Sequence, residues 1–251
     1  MTRARLPRRG SRPRTRRPRA AIVVLAKHPI VGRVKTRLAA AVGDTAACAL
    51  YRAFVRDLAA RLADVGAPVW WAFTPASAPF PRLVGSRRCF AQRGADLGSR
   101  IDHALRTVYR ATGGPVIALG ADMPHVGARE LRRAIRALAL GADVVLGPAA
   151  DGGYYLIGVQ GPRRALFRGV AWGTATVAAT TRRRCRALGL SLVEVSRGFD
   201  VDGPRELAAL ARVVRRRPRE FRYTRAILRR LSRGGGSLPP GAFPSSGCAR
   251  R

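Results

Sequence analysis

Lysine is almost absent from this sequence of 251 residues. The only two lysines are Lys27 and Lys35, which lie in one short segment, and arginine supplies the rest of the positive charge. An ammonium group is a compact point charge with rotatable donors, whereas a guanidinium group is a broad, flat fork. Lysines that are kept in so arginine-rich a chain indicate a chemical requirement, such as a tight pocket for an anion.

Acidic residues are also scarce, because 14 Asp and Glu face 48 Lys and Arg, for a formal charge of +34. Much of the excess lies near the ends of the chain, in residues 1–20 and 212–233. Basic tails make salt-sensitive contacts with polyanions, but these stretches contain few aromatic side chains to stack on bases. We therefore expect no specific nucleic-acid recognition, and a basic nucleic-acid-associated module is the alternative outside the enzymes.

Several other features are missing. The four cysteines, which include no Cys-x-x-Cys pair, are far apart, and this excludes the common zinc and redox motifs. No apolar run approaches the ~20 residues of a membrane span, and no signal-peptide core follows the basic N-terminus. We expect buried thiols, a reducing cytoplasmic location and no membrane span.

Composition divides the chain into an Arg- and Pro-rich arm at 1–20, predicted to be disordered, one domain at 21–232, and a Gly-, Pro- and Ser-rich disordered tail at 233–251. Within the domain, apolar runs alternate with amphipathic patterns. Strands are predicted over 21–26, 68–73, 87–91, 115–119, 143–146, 154–159 and 190–195, and helices over 44–65, 97–111, 127–140, 174–188, 203–217 and 218–232. This alternation predicts an α/β fold with a mostly parallel sheet covered on both faces.

The lysine segment directly follows the first predicted strand. A strand that opens into a basic, glycine-containing loop and then a helix is a common phosphate site. Gly32 would let the backbone approach the ligand, with Lys35, Thr36 and Arg37 near the helix start. A basic surface loop is the alternative, since the segment matches neither the Walker nor the dinucleotide-binding pattern.

Aspartates follow two other predicted strands. Asp122 comes just after a buried strand, and Mg²⁺ prefers one or two carboxylates together with substrate phosphates. Asp200 and Asp202 share one face of an extended segment and could complete such a site, although Asp202 could instead cap the helix that starts near Pro204. Asp96 could contact a substrate or merely open the helix over 97–111.

Two further motifs could contact an acceptor substrate. Asp151, Gly152 and Gly153 form a turn signal between two strands, which is a structural explanation as good as the functional one. Trp172 and Thr174 could line a pocket, or they could form an aromatic staple and cap for the following helix.

Taken together, the motifs resemble those of the DUF2064 family of bacterial transferases, also described as rSAM-selenodomain-associated or arsenosugar-type glycosyltransferases. The longest shared segments are Ala26 to Leu38 and Gly147 to Gly158. Shorter ones are Asp96-Leu-Gly-x-Arg, Gly120-x-Asp-x-Pro, Trp172-x-Thr and Asp200-x-Asp. The chain departs from the family at Ala121 and Met123, where members often have small polar residues.

The resemblance implies the GT-A nucleotide-diphospho-sugar transferase fold, a three-layer sandwich around a mixed sheet. It implies a transferase that uses a nucleotide or nucleotide sugar, a small-molecule acceptor and Mg²⁺ or Mn²⁺, with a nucleotidylyltransferase that releases pyrophosphate as the alternative reaction. The expected catalytic residues are Lys35, Asp122 and Asp151. The expected nucleotide ligands are Lys27, Gly32, Lys35, Thr36, Arg37 and Asp96; the metal ligands are Asp122, Asp200 and Asp202; and the acceptor side is Gly152, Gly153, Tyr154, Trp172 and Thr174.

Overall fold

A computed structural model describes residues 19–233. Apart from Arg19, Ala20 and Arg233, the predicted arm and tail lie outside these residues. Within this range the chain forms seven strands: β1 (Ala21–Lys27), β2 (Val69–Thr74), β3 (Cys89–Ala91), β4 (Val116–Gly120), β5 (Val144–Pro148), β6 (Tyr154–Val159) and β7 (Leu192–Glu194). Eight α-helices accompany them: α1 (Thr36–Val42), α2 (Asp44–Ala63), α3 (Phe80–Val84), α4 (Leu97–Thr112), α5 (Ala128–Ala139), α6 (Val177–Ala187), α7 (Pro204–Arg216) and α8 (Arg222–Arg233).

The strands form one sheet in the order β3-β2-β1-β4-β6-β5-β7. Strand β6 pairs antiparallel with both β4 and β5, and the other neighbours are parallel. The chain runs from β1 towards β3 on one side and from β4 towards β7 on the other. The strand order therefore reverses between β1 and β4, and such a switch point opens a crevice at the carboxyl ends of the strands.

Alternate residues of the central strands face opposite layers of helices. Ile22 and Val24 belong to the core cluster that includes residues of α2, α5, α7 and α8. Ala21 and Val23 belong to the cluster that includes residues of α4 and α6. The prediction of a mostly parallel, mixed sheet between two helical layers is confirmed.

The second arginine-rich stretch is folded rather than a loose tail, because residues 212–233 supply the end of α7 and all of α8. Leu228 of α8 is fully buried. The buried carboxylate of Asp57 in α2 accepts hydrogen bonds from the backbone amides of Tyr223 (2.9 Å) and Thr224 (2.8 Å), at the start of α8. Partners of this kind satisfy the free amides of a helix N-terminus.

Some local predictions need correction. The helix expected from 174 begins only at Val177, with Thr176 at the N-cap position, so Thr174 is not its cap. The hydroxyl of Thr174 donates to the carbonyl of Ala171 (2.8 Å) and accepts the amide of Thr176 (3.4 Å). Helix α3 and a short 3₁₀ helix at Arg164–Leu166 were not predicted. Cys48, Cys89 and Cys185 are free thiols, of which Cys48 and Cys185 are buried.

Among the described residues, none of the helices has the length and apolarity that a membrane crossing requires.

Candidate active site

Lys35 has an unusual backbone conformation. Its φ of 51° and ψ of 42° lie in the left-handed region, and it is the only non-glycine residue with positive φ within 19–233. This conformation costs an L-residue roughly 1–2 kcal/mol, so contacts elsewhere must stabilise it. Lys35 immediately precedes α1, at the end of the loop that leaves β1.

The ammonium group of Lys35 joins two carboxylates from distant loops. Its Nζ lies 2.7 Å from Asp122 Oδ1 and 2.9 Å from Asp202 Oδ1. The Lys35 side chain is 3% exposed, whereas those of Asp122 and Asp202 are 54% and 45% exposed. Burial alone would lower the pKa of Lys35, but the two carboxylates outweigh this effect and raise it. Lys35 is therefore a buried, permanently charged ammonium at the β1–β4 switch point.

A cavity of about 250 Å³, here called the basic cavity, surrounds this ion-pair cluster. It is lined by Lys27, Val34, Lys35, Thr36, Arg37, Tyr51, Asp122, Asp200 and Asp202. Tyr51, which sequence reasoning missed, accepts a hydrogen bond from the backbone amide of Lys27 (3.0 Å) through its hydroxyl. Its spacing on α2 marks Tyr51 only as a core residue, so the sequence contains no signal of this role.

A second cavity of about 250 Å³, here called the apolar cavity, lies on the other side of Asp122 and Asp200. Both aspartates line both cavities. The other residues on the walls of the apolar cavity include Leu97, Ile101, Met123, Asp151, Gly153, Tyr154, Tyr155, Trp172, Thr174 and Val177. Most residues predicted for the phosphate side and for the acceptor side thus line two adjoining cavities with a shared acidic wall.

The surroundings of Asp200 disfavour the ionised form of its carboxyl group. Burial and the neighbouring Asp122 raise its pKa to about 7, and Lys35 offsets only part of this effect. Among residues 19–233, no hydrogen-bond donor reaches its carboxylate. Asp200 would gain from any cation or proton donor that a ligand brings to the shared wall.

The loop that carries Asp200 and Asp202 is held in place by three contacts. The ring of His125 stacks on Phe199 with centroids 3.8 Å apart, and its Nε2 accepts the amide of Phe199 (3.3 Å). Tyr155 donates its hydroxyl to the carbonyl of Ser196 (2.9 Å), and Gly198 pairs with Ala149. Burial, followed by the charge of Arg61, lowers the pKa of His125 to about 4. His125 is therefore a neutral acceptor near pH 7.

Two glycines shape the wall of the apolar cavity. A Cβ on Gly98 would lie 2.6 Å from the indole of Trp172, so the absence of a side chain in α4 makes room for the tryptophan. A Cβ on Gly152, whose φ is +88°, would lie 2.1 Å from the carbonyl oxygen of Ala175. The turn at Asp151 is thus packed tightly against the segment that follows Trp172.

The predicted site residues separate into three groups. Lys27, Lys35, Thr36 and Arg37 line the basic cavity; Asp151, Gly153, Tyr154, Trp172 and Thr174 line the apolar cavity; Asp122 and Asp200 line both, and Asp202 lines the basic one. Gly32, Asp96 and Gly152 line neither. Gly32 is exposed with open space around it. Asp96 caps α4, accepting the amide of Ser99 (2.6 Å), so the helix-opening alternative describes its position.

The three predicted metal ligands do not form a single carboxylate centre. Within residues 19–233, no group of three or more His, Cys, Asp or Glu side chains could hold a metal ion. The Lys35 ammonium lies between two of them, 2.7 Å from Asp122 and 2.9 Å from Asp202. These two half-exposed carboxylates still match the donor set of Mg²⁺, which takes one or two carboxylates and completes its shell with phosphates and water.

The sheet order and the cluster at its switch point define a transferase with the nucleotide-diphospho-sugar transferase fold, similar to GT-A. The chain belongs to the DUF2064 family, described as an uncharacterized protein conserved in bacteria, whose sequence profile matches residues 54–174. A protein from Desulfovibrio desulfuricans G20, provisionally named a nucleotide-diphospho-sugar transferase, is 32% identical with a TM-score of 0.79. That similarity covers 85% of this chain and 95% of the other.

Two more distant structures also match. A cytidylyltransferase from Leptospira borgpetersenii is 13% identical over 81% of this chain and 97% of its own, with a TM-score of 0.49. A homologue of Rv0371c from Mycobacterium sp. strain JC1 is 18% identical over 79% of this chain and 98% of its own, also with a TM-score of 0.49. At this level the likeness does not extend to function. No protein of curated function matches the chain in sequence.

Proposed function

We propose that this protein is a divalent-metal-dependent glycosyltransferase that moves the sugar of a nucleotide sugar to a small-molecule acceptor. The observation that carries the proposal is the buried Lys35 ammonium, held 2.7 Å from Asp122 and 2.9 Å from Asp202 beside two adjoining cavities. The name of the Desulfovibrio relative supports the same class of substrate.

The diphosphate of the donor would occupy the basic cavity. Lys27, Lys35 and Arg37 line it, and they can bind and orient phosphate oxygens on which charge grows as the diphosphate departs. Donors that are positioned before the reaction stabilise such charge most effectively, because they need no reorganisation in the transition state. The exposed ammonium of Lys27 and the buried one of Lys35 would approach the phosphates from different depths.

Asp122 and Asp202 would hold the divalent cation together with oxygens of the diphosphate. When bound, Mg²⁺ or Mn²⁺ neutralises charge on the leaving group. Lys35 keeps the same two carboxylates paired in the free protein, which limits their repulsion at the switch point.

The acceptor would bind in the apolar cavity, directly across the shared wall from the diphosphate. Its hydroxyl oxygen would form the new bond to the sugar while the bond between the sugar and the diphosphate breaks. Asp151 is an exposed carboxylate on this cavity and can accept the hydroxyl proton.

Product analysis tests the proposal. We expect nucleotide sugars to raise the melting temperature in the presence of Mg²⁺, because ligands that bind only the native state stabilise it. Turnover should then release a nucleoside diphosphate. If no nucleotide or nucleotide sugar binds with either metal, the proposal is wrong.

A nucleotidylyltransferase is the second candidate, because the three cations of the basic cavity suit a departing pyrophosphate equally well. The two reactions leave different products. Pyrophosphate released from a nucleoside triphosphate would favour nucleotidyl transfer, and a nucleoside diphosphate released from a nucleotide sugar would favour glycosyl transfer.

A further inference from the structure

The two cavities differ in the cations on their walls. The basic cavity is lined by three aspartates and by three cationic residues, Lys27, Lys35 and Arg37. No Lys, Arg or His is among the residues that line the apolar cavity, although the chain has 48 Lys and Arg. The charged residues on its wall are Asp122, Asp151 and Asp200. Arg197 donates to the carbonyl of Ala149 on this wall (3.3 Å), but its side chain does not line the cavity.

We propose that the apolar cavity accepts uncharged or cationic molecules with an apolar body and rejects anionic ones, including phosphorylated acceptors. This inference deepens the proposed function, because it assigns a chemical class to the acceptor and rests on the transferase reaction assigned above. The identity of the donor does not enter into it.

Electrostatics supports the exclusion of anions. An anionic group in the apolar cavity would approach Asp151, the partly ionised Asp200 and the Lys35-paired Asp122. It would find no cationic side chain on the cavity wall. Like charges at close range repel more strongly near protein than in bulk water, because the effective dielectric constant is lower.

Shape and packing support an apolar body. A cavity of about 150 Å³ lined by aliphatic and aromatic side chains can hold a benzene ring, and this one measures about 250 Å³. Trp172 meets Tyr154 edge to face, with centroids 6.1 Å apart, and its indole is seated over Gly98. Leu97, Ile101 and Val177 complete an apolar wall on which a ring or short chain can pack.

Three matched probes test the inference: 2-phenylethanol, 2-phenylethylammonium and 3-phenylpropionate, which share a ring and differ in charge. Their dissociation constants would be measured by ligand-observed NMR on the full chain at neutral pH. We expect the alcohol and the amine to bind with constants on the order of 1 mM and the carboxylate to bind at least about tenfold more weakly. A carboxylate that binds as tightly as the alcohol, or the absence of binding by all three probes, would overturn the inference.

Variants locate the effect. Trp172→Ala should abolish binding of all three probes, and the Asp151→Asn/Asp200→Asn double variant should narrow the difference between alcohol and carboxylate to roughly threefold or less. An unchanged difference in the double variant would overturn the electrostatic basis. Asp64→Asn, at an exposed carboxylate that lines neither cavity, is the matched control. Thermal unfolding of each variant shows whether it is folded.

A parallel titration with nucleotide sugars and Mg²⁺ separates this inference from the proposed function. Charge-selective probe binding without any nucleotide binding would remove the transferase proposal and leave the cavity selectivity in place. Nucleotide binding combined with tight binding of 3-phenylpropionate would remove the cavity selectivity and leave the transferase proposal in place.

Discussion

The ammonium of Lys35 lies 2.9 Å from the carboxylate of Asp202, a residue 167 positions further along the chain. The same nitrogen lies 2.7 Å from Asp122, so one side chain joins the loops that follow β1 and β4 and the loop that precedes α7. This arrangement makes Lys35 the first target for mutation.

Lys35→Met keeps an unbranched side chain that is one atom shorter and removes its charge. We expect diphosphate binding to weaken and turnover to fall by ~10²–10³, the usual loss when one donor to a developing charge is removed. Steady-state kinetics and calorimetric titration with a nucleoside diphosphate measure the two effects. Arg33→Met, in the same loop but lining neither cavity, is the matched control. Turnover within a factor of a few of the wild type would contradict the mechanism.

Removal of divalent ions should weaken nucleoside-diphosphate binding by about tenfold or more in the wild type, because cation and phosphate bind together. In the Asp122→Asn/Asp202→Asn variant, EDTA should have little further effect, since the proposed carboxylate ligands are gone. Calorimetric titration with and without EDTA checks this. An EDTA effect of equal size in both proteins would place the metal elsewhere.

The raised pKa of Asp200 leads us to expect that the stability of the protein depends on pH. Its pKa is about 7 in the folded protein against an ordinary 3.8, so the folded state binds more protons between these values. Ionisation of Asp200 therefore destabilises the folded state. This loss of stability is absent below pH 3.8, grows by up to about 1.4 kcal/mol per pH unit and levels off above pH 7. Asp200→Asn should therefore stabilise the EDTA-treated protein more at pH 8 than at pH 5.

Urea unfolding at the two pH values measures this difference. If Asp200→Asn increases stability equally at pH 5 and pH 8, the surroundings of Asp200 do not raise its pKa.

His125→Phe retains a ring to stack on Phe199 but loses the acceptor for its backbone amide. An unsatisfied buried donor costs about 1–3 kcal/mol, and the loop that carries Asp200 and Asp202 should lose its position. We expect a loss of stability together with a lower turnover number. His103→Phe, on α4 and outside both cavities, is the control. Wild-type turnover in His125→Phe would show that this contact does not position the loop.

Gly152→Ala and Gly32→Ala form a matched pair, because both glycines have positive φ. At Gly32 a Cβ meets nothing within 4 Å, so only backbone strain of roughly 1–2 kcal/mol is expected. At Gly152 the Cβ would also lie 2.1 Å from the Ala175 carbonyl, and the turn must move. Gly152→Ala should lose clearly more stability than Gly32→Ala in thermal unfolding, and equal losses would contradict the packing described here.

The sequence predicted the layers of the fold because apolar periodicity and turn residues are local signals. It placed β1, β4 and β6 to within a residue or two, and it placed the lysine loop, Asp122 and the Asp151 turn at strand ends. It failed at Thr174, where local spacing suggests a cap but the helix begins only at Val177, with Thr176 at the N-cap position. The helices predicted over 203–217 and 218–232 are confirmed as α7 and α8, where buried residues such as Leu228 fold the arginines of 212–233 into the domain.

By itself, then, the sequence determined which loops carry the candidate site residues and which family they resemble. Only the tertiary structure decided that Lys35 lies between Asp122 and Asp202, that Tyr51 joins the basic cavity, and that cationic side chains line one of the two cavities and not the other. The physical reason is that these contacts depend on β1 lying beside β4. Strand order is set by packing over the whole domain, and no local pattern records it.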